Sequence, residues 1–334
     1  MKTSINNMKA QLKPYRGMLY ALLSSLFFSL MSACVKLAAY DFFLVAAIRS
    51  AVQILLLQSA IIKQQKDLSS GCKRPQVYFV LGRTIAGTVS VCCQFYAYQN
   101  MNIGDASAII FSSPFITGIL AAILLKERFT VFNLLATLVS FGGIILVARP
   151  PFIFRSQADD APFRFAAASI AFAASIATSI AILNIRKIGN KVDSYVITYY
   201  FSIVCFIVPI IIFSITTSYR LPQCGATRWL LIAVGVLGFL GQISFTNAIQ
   251  LEKATLISII RTTDVIFGYI LELIIFGSSP SLLSIFGSLL IIAGASALAL
   301  KKWYDIKSDR KDCNQSKTTE QSINQHQDFT ETHL

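Results

Sequence analysis

Charge is what this chain has least of. Only 13% of its 334 residues are Asp, Glu, Lys or Arg, about half the share of a soluble globular domain. Acids are the scarcer sign, 16 against 29 Lys and Arg. Histidine is almost missing, with His326 and His333 both close to the C-terminus. That leaves no imidazole in the body of the chain for general acid–base work. No spacing of His, Cys, Asp or Glu suits a metal, no nucleophile–base pair stands out, and there is no Walker A loop. The seven cysteines are odd in number. Cys34, Cys92, Cys93 and Cys205 fall inside apolar runs, so no disulfide framework is readable and they count as small buried hydrophobes. An enzyme, a metal site and a cofactor are therefore not expected. Nor does the net charge of +13 mark a nucleic-acid partner. The basic residues sit in short loops and tails between apolar runs, the pattern that orients membrane chains.

What fills the chain is apolar sequence. Runs of about twenty residues lie near 17–37, 43–62, 77–98, 105–125, 130–148, 165–184, 195–215, 228–249, 254–276 and 281–300. An α-helix of that length crosses a bilayer core at ~1.5 Å per residue. The expected fold is all-α, a polytopic membrane protein of ten transmembrane helices. Residues 1–16 and 301–334 are polar and read as disordered tails. With the N-terminus in the cytosol, 20 of the Lys and Arg residues fall on the inside and five on the outside. The positive-inside rule thus predicts that both termini are cytosolic. Residues 150–164 then form an extracellular or lumenal connection.

The chain repeats at an offset of about 150. Ile110, Ile116 and Gly118 align with Ile260, Ile266 and Gly268, and Lys36 with Arg186. After a one-residue gap, Ala136 and Gly143 align with Gly287 and Gly294. Residues 17–149 and 165–300 are the two repeats. Five spans each is an odd number, so the second half enters the membrane inverted. Secondary transporters recurrently use this plan, with a site near the midplane between halves. The alanines of 165–184 and Gly235, Gly238 and Gly241 read as surfaces for close helix packing.

Four cations lie within spans: Lys36, Arg49, Arg83 and Arg261. Each costs roughly 2.5–3.5 kcal/mol at a helix centre on insertion scales, so something must offset them. Snorkelling, an acid partner or a wet cavity would do so. Ser25, Ser29, Ser32 and Lys36 share one helix face by spacing, and Gln53 follows Arg49 by one turn. Arg83, Gly87, Ser90, Gln94 and Tyr98 form a polar stripe along the third span. Arg261, Asp264, Gly268 and Glu272 form another along the ninth, where Arg261 and Asp264 are placed to pair at i,i+3. Positive charge exceeds negative, and arginine presents a planar fork for carboxylate or phosphate. A small organic anion is the expected substrate. Arg83, Gln94, Tyr98, Arg261, Arg49 and Gln242 are the candidate binding residues. Asp264 and Glu272 are the candidates for coupling, a carboxyl in mid-span being able to titrate as its surroundings change. The tail ends Glu331-Thr332-His333-Leu334, which has the form of a PDZ-domain ligand over Thr332–Leu334.

Further motifs carry a resemblance. They are Tyr96-Ala97-Tyr98-Gln99, Asp105-Ala106, Phe111-Ser112-Ser113-Pro114, Leu125-Lys126-Glu127-Arg128, Arg149-Pro150-Pro151-Phe152, Gly241-Gln242, Glu252-Lys253-Ala254 and Thr263-Asp264-Val265. In this order along ten spans the chain resembles the drug/metabolite transporter superfamily with two EamA-type repeats. It looks most like solute carrier family 35, group G, over roughly residues 15–304. The resemblance implies alternating access around a central cavity and a metabolite substrate, nucleotide sugars and amino-acid derivatives being alternatives to a simple anion. The Lys126-Glu127 signature has no partner in the second repeat, where Gly277-Ser278 stands. Lys36 and Glu127 are candidate gate residues, Glu127 on the cytosolic side. A second class of function is a non-transporting adaptor that binds a pump or channel through its tail. A homodimer is among the candidate assemblies. Absence of a dilysine or Lys-Asp-Glu-Leu type signal favours the plasma membrane over the endoplasmic reticulum or Golgi.

Overall fold

The computed structural model describes residues 15–38, 40–100, 109–126, 130–148, 161–216, 226–276 and, discontinuously, 282–304. The described residues are helical, with no strand among them. The described residues up to 295 belong to one compact unit and those from 296 on to a second. In the first unit the helices are α1 (Arg16–Ala38), α2 (Phe42–Lys63), α3 (Gln76–Asn100), α4 (Ser113–Leu125) and α5 (Val131–Ala148), then α6 (Ala161–Ile188), α7 (Ser194–Thr216), α8 (Ala226–Leu251), α9 (Ala254–Ile260) and α10 (Thr263–Phe276). Helical backbone recurs at 285–287 and 289–295. In the second unit the described residues 296–298, 300–301 and 304 are helical.

Six of these helices are long and apolar enough to cross a membrane: α1, α2, α3, α6, α7 and α8. Shorter apolar helices cover Ser113–Leu125 and Val131–Leu146. Leucines and isoleucines point outward along the long helices, Ile62 on α2 at 69% and Ile215 on α7 at 79% exposed. Such surfaces are stable where the surrounding solvent is hydrocarbon.

Two predicted spans are not continuous helices, which corrects the sequence expectation. The span drawn at 105–125 has a turn at Phe111–Ser112, and the span drawn at 254–276 has one at Arg261–Thr262. The hydrogen bonding is nearly the same at both. Ser112 N donates to Ile109 O at 3.1 Å and Thr262 N to Ile259 O at 3.0 Å. The Ser112 hydroxyl donates to Ile109 O at 2.6 Å and the Thr262 hydroxyl to Ile259 O at 2.7 Å. Each hydroxyl thus occupies a carbonyl that a continuing helix would use.

Packing runs largely between the two halves of the chain. Helix α1 lies along α8 and α10, α3 along α6, α2 along α7 and α8, and α4 along α6 and α9. Buried Ala171, Ala174, Ala177 and Ala181 keep α6 close to its neighbours. The residues of the internal repeat also meet crosswise: Gly143 abuts the backbone of Gly287, the counterpart of Ala136, and Gly294, the counterpart of Gly143, abuts that of Ala136.

Helix α2 starts on Asp41, whose carboxylate accepts from Phe43 N at 2.9 Å and Leu44 N at 3.3 Å. Asp193 starts α7 in the same way, accepting from Tyr195 N at 3.0 Å. These caps satisfy amides that the first helical turn leaves free. The α2–α3 connection carries a 3₁₀ turn over Leu68–Cys72 that begins on Asp67. Hydrogen bonds from the Ser69 hydroxyl and amide hold the Asp67 carboxyl below the ordinary carboxylate range.

Candidate functional site

The three arginines come together. Arg49 on α2 is 7% exposed and Arg83 on α3 is 4% exposed. Arg261 occupies the turn between α9 and α10. Arg83 lies within electrostatic reach of both the others and of Cys205 on α7. The Cys205 thiol in turn lies near Arg49, Arg83 and Ser50. Aromatic rings cover the guanidinium faces. The Arg83 guanidinium carbon is 4.3 Å from the Phe201 ring centroid. That of Arg261 is 4.9 Å from the Phe28 ring and 4.5 Å from the Phe245 ring, and those two rings meet edge to face at 6.5 Å. Rings attract a cation by their negative faces while leaving its N–H edges open.

Among the described residues Arg49 and Arg83 have no acid partner. The Nε of each is buried without a hydrogen-bond partner. Nearby amide nitrogens are also unspent: those of Gln53 on α2 and Gln242 on α8. Burying charge without compensation costs several kcal/mol per ion, so this is a costly arrangement to keep. Gln94 is placed differently. Its amide donates to Ser90 Oγ at 2.8 Å and reaches Thr178 Oγ1 at 3.4 Å, with Ser90 and Thr178 themselves 2.6 Å apart.

Asp264 stands in the first turn of α10, where a negative side chain suits the helix dipole. The Ser29 hydroxyl hydrogen-bonds its carboxylate, and lies 2.9 Å from its backbone carbonyl. Arg261 acts electrostatically on the same carboxylate. Ser25 Oγ reaches Arg261 O at 3.5 Å. Helix α6 does the same for the other break. Ser175 Oγ lies 2.8 Å from Ile109 O and 3.0 Å from Ile110 O, and Ser179 Oγ 3.1 Å from Ser113 O. A cleft lined by Phe111, Ser112, Ser140, Phe141, Ile259 and Thr262 joins the two turns.

The structure therefore gathers Arg49, Arg83, Arg261 and Asp264. The side chains of Tyr98, Glu272 and Lys36, the residue Glu127, and the tail with Thr332–Leu334 lie outside the described residues. Reasoning from sequence missed Phe28, Phe201, Phe245, Ser50 and Cys205. It also missed an ion pair on the loops: Lys66 Nζ lies 2.6 Å from Asp193 Oδ2. That hydrogen bond and the carboxylate's charge push the Lys66 ammonium above the ordinary lysine range. Among the described residues no three His, Cys, Asp or Glu side chains converge as a metal site would require.

The model of the family described as "EamA-like transporter family" matches residues 15–149 and again 165–300. The chain is similar to solute carrier family 35 member G1 of Homo sapiens, 34% identical over 299 residues, 87% of this chain and 80% of the relative. It is also similar to the pseudopaline exporter CntI of Pseudomonas aeruginosa, 30% identical over 293 residues, 86% of this chain and 96% of that one. A protein of known crystal structure shares the fold at 15% identity, with a TM-score of 0.74 over 86% of this chain and 98% of its own.

Proposed function

We propose, since the chain belongs to the EamA-like transporter family, that this integral, multi-pass membrane protein carries a small organic anion by alternating access. The observation that carries the substrate class is the pair of buried guanidiniums at Arg49 and Arg83, which spend no hydrogen bond on the described protein. A structure keeps such donors when a ligand supplies the acceptors. Arg261 provides a third cation, and Gln242 and Gln53 add amide donors. Asp264, in the first turn of the half-helix α10, is the coupling candidate. Its link to Ser29 ties its carboxylate to α1.

The proposed architecture is ten spans in two inverted repeats, 17–149 and 165–300, with cytosolic termini. The matched turns at 111–112 and 261–262, offset by 150, support the repeat. So does the pairing of α1 with α8 and of α3 with α6, which the repeat would exchange. Broken helices at corresponding positions of two halves mark the binding region of inverted-repeat carriers. Glu127 and Lys36 remain gate candidates and Tyr98 and Glu272 site candidates on spacing alone. The plasma membrane is the proposed location.

Uptake into proteoliposomes tests this. The panel is radiolabelled mono- and dicarboxylates, sugar phosphates, nucleotide sugars and neutral, acidic and basic amino acids. Flux is measured in both directions, because one relative is named as an exporter. Saturable flux of anionic members, lost in Arg83→Gln, is the expected result. Equal flux of organic cations overturns the substrate class. Removing residues 301–334 leaves flux intact if the chain is a carrier. If a tail-borne adaptor role were its work, binding to a PDZ domain would vanish and no flux would be found to begin with.

A further inference from the structure

We propose that Gly87, Gly238 and Gly241 are positioning residues for the anion site, each leaving the space into which one arginine, or the ring that covers it, settles. This rests on the anion-carrier function above. A glycine inside a helix costs about 1 kcal/mol relative to alanine, so each needs a reason. On α8, Gly235, Gly238 and Gly241 recur every third residue and share one face. Close helix packing is the ordinary explanation of such a face, and it holds for Gly235, where an added Cβ would strike the side chain of Val52.

The next two glycines face something else. A Cβ on Gly238 would lie 2.7 Å from Arg49 Nε and 3.2 Å from its Cγ and Cδ. A Cβ on Gly241 would lie 3.1 Å from two carbons of the Phe28 ring, one of the rings over Arg261. On α3, a Cβ on Gly87 would strike Nη1 of Arg83 and come within 2.9 Å of the Phe201 ring stacked on that guanidinium. All three cations of the cluster are thus reached, from two helices.

The physical link is steric. Arg49 and Arg83 are more than nine-tenths buried and their Nε atoms have no hydrogen-bond partner. No bond draws these guanidiniums back if they are pushed. Their place is set by what surrounds them, and a methyl group in the glycine's space displaces the charge. A shift of ~1 Å in a binding group is enough to lower carrier efficiency by as much as two orders of magnitude.

The test compares neighbouring glycines on one helix. For the panel anion with the highest wild-type flux, Gly238→Ala is expected to raise KM about tenfold with Vmax within twofold. Gly235→Ala, matched in helix and in added volume, should leave KM within twofold. In an Arg49→Gln background, Gly238→Ala should add nothing further to KM. Equal KM changes for Gly235→Ala and Gly238→Ala overturn the proposal. A second measurement needs no substrate. Gly238→Ala should lower the melting temperature of the purified protein by several degrees, but leave it unchanged or raise it when Arg49 is also Ala, because the helix then gains from the better residue. The same drop in both backgrounds overturns the proposal, even if no anion of the panel is carried. In that last case the anion-carrier function itself fails separately.

Discussion

The two helix breaks use one backbone design and furnish it with opposite chemistry. At the first, Phe111 and Ser112 make the turn and buried Pro114 opens α4. At the second, Arg261 and Thr262 make the turn and Asp264 opens α10. Proline suits a helix start because its missing N–H would be unsatisfied there anyway. Aspartate suits it because a carboxylate complements the positive end of the helix dipole. Each break is met by serines from the opposite half, Ser175 and Ser179 on α6 or Ser25 and Ser29 on α1. The first set makes more backbone contacts, though not shorter ones. Ser175 reaches Ile109 O at 2.8 Å and Ile110 O at 3.0 Å and Ser179 reaches Ser113 O at 3.1 Å, whereas Ser29 reaches Asp264 O at 2.9 Å and Ser25 reaches Arg261 O at 3.5 Å. Thr117 also donates to Ser179 at 3.0 Å. The first break is the more heavily bonded and so the one assigned rigidity, while the second carries the charge.

The largest expected effect comes from making the second break resemble the first. Arg261→Phe restores the residue type found at 111 and keeps an aromatic contact open to Phe28 and Phe245. Expression and melting temperature should stay close to wild type, while anion flux falls about 100-fold. That is the value of two charge-assisted hydrogen bonds at ~1.5 kcal/mol each. Arg83→Gln should fall as far. Flux retained in Arg261→Phe would mean that the charge at the second break is structural, and the contrast between the breaks would lose its functional meaning.

A smaller effect separates the serines. Ser179→Ala removes a buried hydroxyl that faces Ser113 O, Ser175 O and Thr117. It should cost about 1 kcal/mol, near the upper part of the range for hydroxyl bonds between membrane helices, and leave flux per folded molecule intact. Ser29→Ala should cost less stability and more flux, since the Asp264 carboxylate loses its α1 contact. Melting temperatures in detergent and uptake per folded protein check both. If Ser29→Ala were the more destabilising change and left uptake alone, the assignment of rigidity and function to the two breaks would be reversed.

How much of this could be read from residues follows from which forces are local. The six long spans are legible because hydropathy over twenty residues is a local property. The stripe from Arg83 to Gln94 was legible because 3.6-residue periodicity is too. The breaks were half visible. Pro114 disfavours helical backbone at Ser113 and so signals a helix boundary nearby, and the offset of 150 would have carried that signal to 263. The apolar runs hid it. Phe28, Phe201 and Phe245 could not be picked out, because a ring that covers a guanidinium and a ring that faces lipid look alike in a sequence of 25 phenylalanines. Gly238 read as a packing residue for the same reason: what rests on a glycine is decided by another helix.

The contrast between buried and solvated charge sharpens at its low end with Lys66 and Asp193, a pair outside the membrane-spanning segments. Their side chains are 33% and 30% exposed, so water screens the attraction and the pair contributes at most about 1 kcal/mol. Asp193 raises the Lys66 ammonium above its ordinary value. A raised basic group stabilises the fold fully below the unfolded lysine pKa of ~10.4 and loses that contribution as pH climbs through the higher folded value. Melting temperature should therefore show no dependence on this pair between pH 6 and 9, taken as roughly the working range of such assays. Asp193→Ala alone will look costlier than Lys66→Gln, because it also removes the cap on Tyr195 N, a contact of about 1 kcal/mol. Only the coupling from the double variant isolates the pair. A coupling well above 1 kcal/mol, or a loss of stability on going from pH 6 to 9 that Lys66→Gln abolishes, would show that exposure has not weakened this charge contact as it should, and that the gap between solvated and buried charge in this protein is narrower than the arginine cluster implies.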